Sequence, residues 1–202
     1  VFDPRVKAIA IDVDFLFLLV PISEFEKCCK SVAPLISPTT IVVDACSVKI
    51  HPAKVMQSVF GRQQPLIATH PLFGPDSVRQ SGLKSKKIVV SFLRTTEIQR
   101  RSFTQLLRKL QLDVIMATPE QHDRQMARSQ ALVHFIGRGL APLRLAAQRI
   151  ATPDYETLLT MRDLVHHDTR QLFYDMQQYN PYAKHMRQRL LKELRHLEQV
   201  LA

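Results

Sequence analysis

Scarcity is the first thing the sequence offers, and each scarcity removes a class of protein. The longest near-continuous apolar stretch is Phe15–Val20, too short to cross a bilayer, and no basic, apolar, small-residue leader precedes it. The expectation is a soluble, cytoplasmic chain with no membrane partner. The three cysteines, Cys28, Cys29 and Cys46, are odd in number and lack Cys-x-x-Cys spacing, so a disulfide framework and a zinc site are both unexpected. His166 and His167 are adjacent and point to different faces, a poor metal pair, and no metal is expected. There is no repeat at solenoid periods and no low-complexity tract. The five glycines (Gly61, Gly74, Gly82, Gly137, Gly139) nowhere form Gly-x-Gly-x-x-Gly.

What is present is enough for a packed core: 202 residues, 46% of them hydrophobic. The formal charge is +10, and basic residues are dense between Arg79 and Lys109. That stretch lacks interleaved aromatics, a helix-turn-helix pattern and a Gly-rich basic tail, so it reads as a solvated face whose field also draws anions, and not as a nucleic-acid surface.

Hydrophobic patterning divides the chain. Asp14–Pro21 reads as a strand buried on both faces, because its apolar run is continuous, and a parallel sheet follows. A helix then starts with Ser23 as its cap and ends at Pro34 and Pro38. Strands are expected at Thr40–Asp44, Pro65–Thr69, Lys87–Phe92 and near Val114–Met116, with helices at His51–Phe60 and Ile98–Leu112. In the last of these helices Phe103, Leu106, Leu107 and Leu110 are spaced to cover a sheet face. From Pro119 onward the pattern is helical: a long helix to about Gln148 interrupted by Gly137 and Gly139, then Asp154–His167 and Thr169–Tyr179. After Asn180-Pro181-Tyr182, the positions Met186, Leu190, Leu194, Leu197 and Leu201 form a narrow stripe that wants a partner helix. The fold class is therefore α/β followed by all-α, with a domain at 1–118 and a helical domain at 119–202.

Three blocks carry chemistry. His70-Pro71-Leu72-Phe73-Gly74-Pro75-Asp76-Ser77 puts a histidine at a strand end before a loop stiffened by proline and glycine, a way to aim an acid–base group. Asp44-Ala45-Cys46-Ser47-Val48-Lys49 is a second strand end bearing an acid, a hydroxyl and an amine. Glu120-Gln121-His122-Asp123 precedes Gln130-Ala131-Leu132-Val133-His134-Phe135, where Gln130 and His134 share a helix face. On residues alone, His70 is either a catalytic base or a turn histidine bonded to backbone. Lys49 binds a ligand or is solvated, Gln130 and His134 face a cleft or an interdomain seam, and His122-Asp123 is a cap with an orienting hydrogen bond.

In this order and at these separations the blocks resemble the prephenate and arogenate dehydrogenases of tyrosine biosynthesis, whose His-Pro-Met-Phe-Gly-Pro element is met here with Leu72 in place of Met. The resemblance implies an oxidoreductase with a Rossmann-type parallel sheet domain, truncated here, and a helical dimerisation domain. It implies hydride transfer to NAD or NADP coupled to decarboxylation of prephenate or arogenate, with His70 as proton acceptor and Ser47 orienting it or the substrate. Lys49, Gln130, His134 and Arg162 are implied on the substrate side. Asp3, Arg5 and Pro21 are implied on the cofactor side, where Asp3 would bond a ribose and favour NAD and Arg5 would accept the extra phosphate of NADP. Asp3 is otherwise an exposed turn residue.

A dinucleotide fold opens with a strand, a glycine turn and a helix, because only glycines let backbone approach the pyrophosphate. Val1-Phe2-Asp3-Pro4-Arg5 looks like the end of the second strand, so the expectation is that the first roughly 30 residues of such a unit are missing and that activity is impaired. One departure from the family is Glu156 after Tyr155, where several prephenate users carry an arginine. It suits an ammonium-bearing substrate or is a solvated acid. The resemblance also implies a homodimer. The competing reading is a non-catalytic remnant, a dimeric module that binds small anions.

Overall fold

The computed structural model describes residues 13–165 and 168–202, in two compact units that divide between His122 and Asp123. The first unit is a five-stranded sheet, β1 (Phe15–Leu18), β2 (Ile41–Asp44), β3 (Leu66–Pro71), β4 (Lys87–Arg94) and β5 (Asp113–Met116), ordered in space as in sequence. Between the strands run α1 (Ile22–Val32), α2 (Ile50–Val59), α3 (Pro75–Ser81) and α4 (Glu97–Lys109). β1–β2, β2–β3 and β4–β5 are parallel, each joined by a crossover helix. The sheet is thus mainly parallel, as expected, and within it the β3–β4 pair is antiparallel, with His70 opposite Val89.

β2 is buried at all four positions, and β3 at every position but Pro71, as continuous apolar runs between covered faces should be. β1 departs from that expectation: Phe17 is 44% exposed, and Leu19, just past the strand, is 74% exposed. β1 is one of the two edge strands among the described residues, with β5 at the other edge, and α4 reaches it through Phe103, whose ring lies 5.7 Å from Phe15 and 6.4 Å from Phe17. Phe103 and Leu107 of α4 pack with Ile41, Val43, Ile67, Ile88 and Val90 in one buried cluster. Burying Phe103 there is worth about 1.5–3 kcal/mol. Leu110, expected on the same face, lies beyond the helix and is exposed. The start of α4 is fixed by a reciprocal pair, Thr96 N–H donating to Gln99 Oε1 (2.8 Å) and Gln99 N–H to Thr96 Oγ1 (3.3 Å).

Ser23 is not the cap of α1. The helix begins at Ile22, with Pro21 in the capping position and no side-chain bond to the first turn, since proline's fixed φ (−53°) already sets the entry. In the loop after His70, Gly74 has φ −95° and open space where a Cβ would stand, so glycine is not required there. Pro71 and Pro75 supply the stiffness. Gly82, which closes α3 at φ 70°, is where glycine's freedom is used.

α5 (Pro119–Arg128) runs across the division, and the second unit continues with α6 (Gln130–Leu140), α7 (Pro153–Leu164), α8 (Arg170–Tyr179) and α9 (Ala183–Leu201). The expected long helix is therefore two helices. The break falls at Ser129 (φ −115°, ψ −91°), and a 3-10 turn at Ala141–Leu143 ends the run well before Gln148. The two glycines lie inside α6. A Cβ on Gly137 would stand 2.7 Å from Val165 Cγ2, so this glycine permits close approach and does not interrupt the helix. On α9, Leu194 (52%), Leu197 (54%) and Leu201 (79%) are exposed, while Met186 and Leu190 are half-buried. Among the described residues no helix is long and apolar enough to cross a membrane.

Candidate active site

The first unit concentrates its polar chemistry where β2 and β3 end. These strands are parallel neighbours, with Asp44 paired to Ala68, so their carboxyl ends come out together, the edge at which open α/β sheets bind ligands. Asp44 is fully buried and accepts Cys46 N–H at 2.9 Å. Lys49, with its side chain equally buried, forms an ion pair with Asp44 and donates to the Thr69 carbonyl, while Thr69 Oγ1 donates to the Asp44 carbonyl at 2.6 Å. These bonds tie the end of β2 to Thr69, near the end of β3. The solvated alternative for Lys49 is thereby corrected: its amine is held between two strand ends. Burial pushes the Asp44 carboxyl up, and Lys49 opposes that shift. Asp44 Oδ2 has no hydrogen-bond partner among the described residues. Burial also raises the Cys46 thiol well above its ordinary range, with Asp44 adding to the shift, so Cys46 is an inert neighbour. Ser47 is half-buried between this pair and the start of α2.

His70, one residue before the end of β3, is 3% exposed. Its Nδ1 lies 2.8 Å from Nε2 of His122, which is 2% exposed, and the rings meet edge to face with centroids 5.0 Å apart. Burial, then the neighbouring His122 and Lys49, holds the His70 pKa well below 6.5, so its imidazole is neutral at physiological pH. The cap of α5 is Thr118 and Gln121, through Thr118 N–H to Gln121 Oε1 (2.9 Å) and Gln121 N–H to Thr118 Oγ1 (3.1 Å). His122 is thus not a capping residue but a partner of His70. A neutral buried imidazole at a strand's carboxyl end, fixed through one nitrogen, is equipped to take a proton with the other.

In the second unit, α6 carries Gln130 and His134. His134 is 7% exposed, and its Nε2 lies 3.3 Å from Asp168 Oδ2. Burial lowers its pKa, Asp168 opposes this, and Arg138 adds to the lowering. Gln130 Oε1 and His134 Nδ1 are buried polar atoms without a hydrogen-bond partner among the described residues. Arg138 donates to the Asp168 carbonyl. Arg162 is engaged locally, donating to the Leu145 carbonyl and pairing with Asp163 at 2.6 Å. Glu156, in the first turn of α7, is exposed. Pro21 is exposed at the start of α1. Asp3, Arg5, His166 and His167 lie outside the described residues.

Sequence reading missed Asp168, which lies outside every block, and the pairing of Asp44 with Lys49. The second had a signal: an acid ending a wholly apolar strand, with an amine five residues on, needs a partner in order to stay buried.

Comparison with known proteins finds likenesses over most of the chain. The family model described as "Prephenate dehydrogenase, nucleotide-binding domain" matches residues 2–99, and one described as "TYRAAT1-like, C-terminal domain" matches residues 139–202. A protein of Methanocaldococcus jannaschii named "Probable arogenate/prephenate dehydrogenase" is 27% identical over 197 residues, 93% of this chain. Arogenate dehydrogenase 2, chloroplastic, of Arabidopsis thaliana is 30% identical over 156 residues, 75% of this chain. The chain spans 44% of the length of each. Among solved structures, prephenate dehydrogenase from Aquifex aeolicus in complex with hydroxyphenyl propionate and NAD+ superposes with a TM-score of 0.76 at 18% identity, over 98% of this chain and 71% of that one, a likeness of fold.

Proposed function

We propose, for a chain that belongs to the prephenate and arogenate dehydrogenase family, that it carries the substrate-side machinery of an NAD(P)-dependent oxidative decarboxylation in tyrosine biosynthesis. The observation that carries this reading is the neutral, buried His70 at the carboxyl end of β3, beside the β2 end that bears Ser47. A bound nicotinamide supplies the hydride acceptor. As hydride leaves the ring carbon, its hydroxyl becomes a carbonyl and the proton passes to His70; loss of carbon dioxide then makes the ring aromatic. Ser47 is assigned the hydroxyl or its orientation. Lys49 acts by fixing the two strand ends through Asp44 and Thr69.

Gln130 and His134 are assigned to the substrate, with polar atoms still open for bonding among the described residues. Arogenate is the favoured substrate: the Asp168 carboxylate beside His134 suits an ammonium group, and Glu156, exposed as it is, is not needed for that role. Arg162 serves a substrate carboxylate only by giving up its bond to the Leu145 carbonyl or Asp163. On the cofactor side Asp3, Arg5 and Pro21 are the residues proposed to touch the dinucleotide. The 202 residues hold no glycine turn for its pyrophosphate, so these residues alone should bind NAD or NADP weakly and turn over slowly.

A homodimer is proposed through the exposed α9 leucines, and a reducing compartment, the cytoplasm, through the three free thiols. The test is turnover of arogenate and prephenate, with NAD and with NADP, by the 202 residues and by a polypeptide that adds a strand and a Gly-x-Gly-x-x-Gly turn before Val1. Reduced nicotinamide formed by the longer polypeptide, faster with arogenate, is the expected result. Inactivity of both forms alongside a stable dimer would favour the remnant reading.

A further inference from the structure

We infer that His122 is a positioning residue that holds His70 in the tautomer protonated on Nδ1, so that Nε2 presents a lone pair to the substrate hydroxyl. The inference rests on the proposed role of His70. At 2.8 Å one of the two nitrogens donates and the other accepts, which leaves two neutral arrangements. If His122 donated, His70 would carry its proton on Nε2 and could take none from substrate there. If His70 donates, its Nε2 is open. An unrestrained histidine favours the proton on Nε2, the wrong form for this task, so a dedicated acceptor at Nδ1 has a function.

The surroundings make the pair decisive. With His70 3% and His122 2% exposed, water competes poorly for either nitrogen. Opposite His70 on β4 stands Val89, which offers no polar side chain. The nearby charges, Lys49 and Asp44, are paired to each other. Two imidazolium rings at this distance would repel, so the pair takes up one proton, and when His70 takes it the Nδ1–H bond to His122 becomes charge-assisted and shorter-ranged in its demands on geometry. His122 therefore strengthens its hold as the reaction proceeds and touches no substrate atom in doing so.

Nitrogen-15 spectra of histidine-labelled protein read this without turnover. The wild-type 202-residue chain should show His70 with a protonated Nδ1 and an unprotonated Nε2. His122→Phe should move the proton to Nε2, and His122→Gln, whose amide oxygen can stand in as acceptor, should restore it to Nδ1. In an active polypeptide His122→Phe should lower kcat about 100-fold with KM little changed, and His122→Gln should recover much of that loss. A wild-type His70 protonated on Nε2 would overturn the inference even where His122→Phe fails to fold. An unaltered tautomer and kcat in folded His122→Phe would do the same. The tautomer does not depend on substrate, so a protein without dehydrogenase activity would refute the proposed function and leave this result intact.

Discussion

Replacing Lys49 with methionine removes the amine from a fully buried ion pair and leaves most of the side-chain volume in place. The expected cost is large, because the Asp44 carboxylate would remain at 0% exposure, its lost amine not replaced by the bond it keeps from Cys46 N–H. Breaking a buried pair from one side costs about 3–5 kcal/mol, a large share of the roughly 5–15 kcal/mol that holds a domain folded. Asp44 can soften the loss by taking a proton. Burial already pushes its pKa up, and removing Lys49 takes away the group that pulls it down. A raised folded pKa means that stability is lost as pH rises, so Lys49→Met should be more damaging at pH 8 than at pH 5. The chain has no tryptophan, and its four tyrosines all follow residue 150, so fluorescence is blind to the first unit. Hydrogen exchange at the Val42 amide, bonded to the Pro65 carbonyl at 3.0 Å, reports on the affected strands. Protection there should fall about 100- to 5,000-fold, at a tenfold change per 1.4 kcal/mol. Asp44→Leu with Lys49→Met should recover most of it, since an apolar pair needs no compensation. A loss under about tenfold in Lys49→Met, or a double variant as unstable as the two singles added, would refute the buried-pair reasoning.

Two further outcomes are expected. Because the folded His70 pKa lies well below 6.5, the unfolded chain binds the extra proton first: the His70 contribution to stability is complete above pH 6.5 and is lost as pH falls through the window beneath it, so acid denaturation should begin at lower pH in His70→Asn than in wild type. For assembly, sedimentation should show a dimer at tens of micromolar that dissociates when Leu190 and Leu194 both become Glu; an unaltered dimer would place the interface on another face.

Much of this architecture is legible in the sequence, because long apolar runs and helical periods are local signals. β2, β3 and β4 are each a run of buried or β-branched residues, and each is found within two residues of its expected bounds. The antiparallel β3–β4 pair was not legible, since strand direction depends on how the Leu72–Lys86 connection returns and not on composition. Gly137 misled for a related reason: glycine weakens an isolated helix, but here the backbone must pass close to Val165, a contact made at long range. In the site, the types and order of His70, Ser47 and Lys49 were readable from the blocks. Their partners were not. The approach of His122 to His70 across 52 residues, and of Asp168 to His134, arises only when the chain is folded, and a buried Lys49 contradicts the usual behaviour of a lysine near a strand end.

Every step of the proposed chemistry depends on His70 as the proton acceptor. Steady-state kinetics of His70→Asn against wild type, in a polypeptide that includes the dinucleotide-binding glycine turn, tests this most directly. Asparagine keeps a side chain of similar reach at Nδ1 and cannot take the hydroxyl proton. The predicted result is a kcat lowered about 100- to 10,000-fold with KM for arogenate nearly unchanged. A kcat within about threefold of wild type, against the 100-fold minimum expected for loss of a general base, would contradict the assignment.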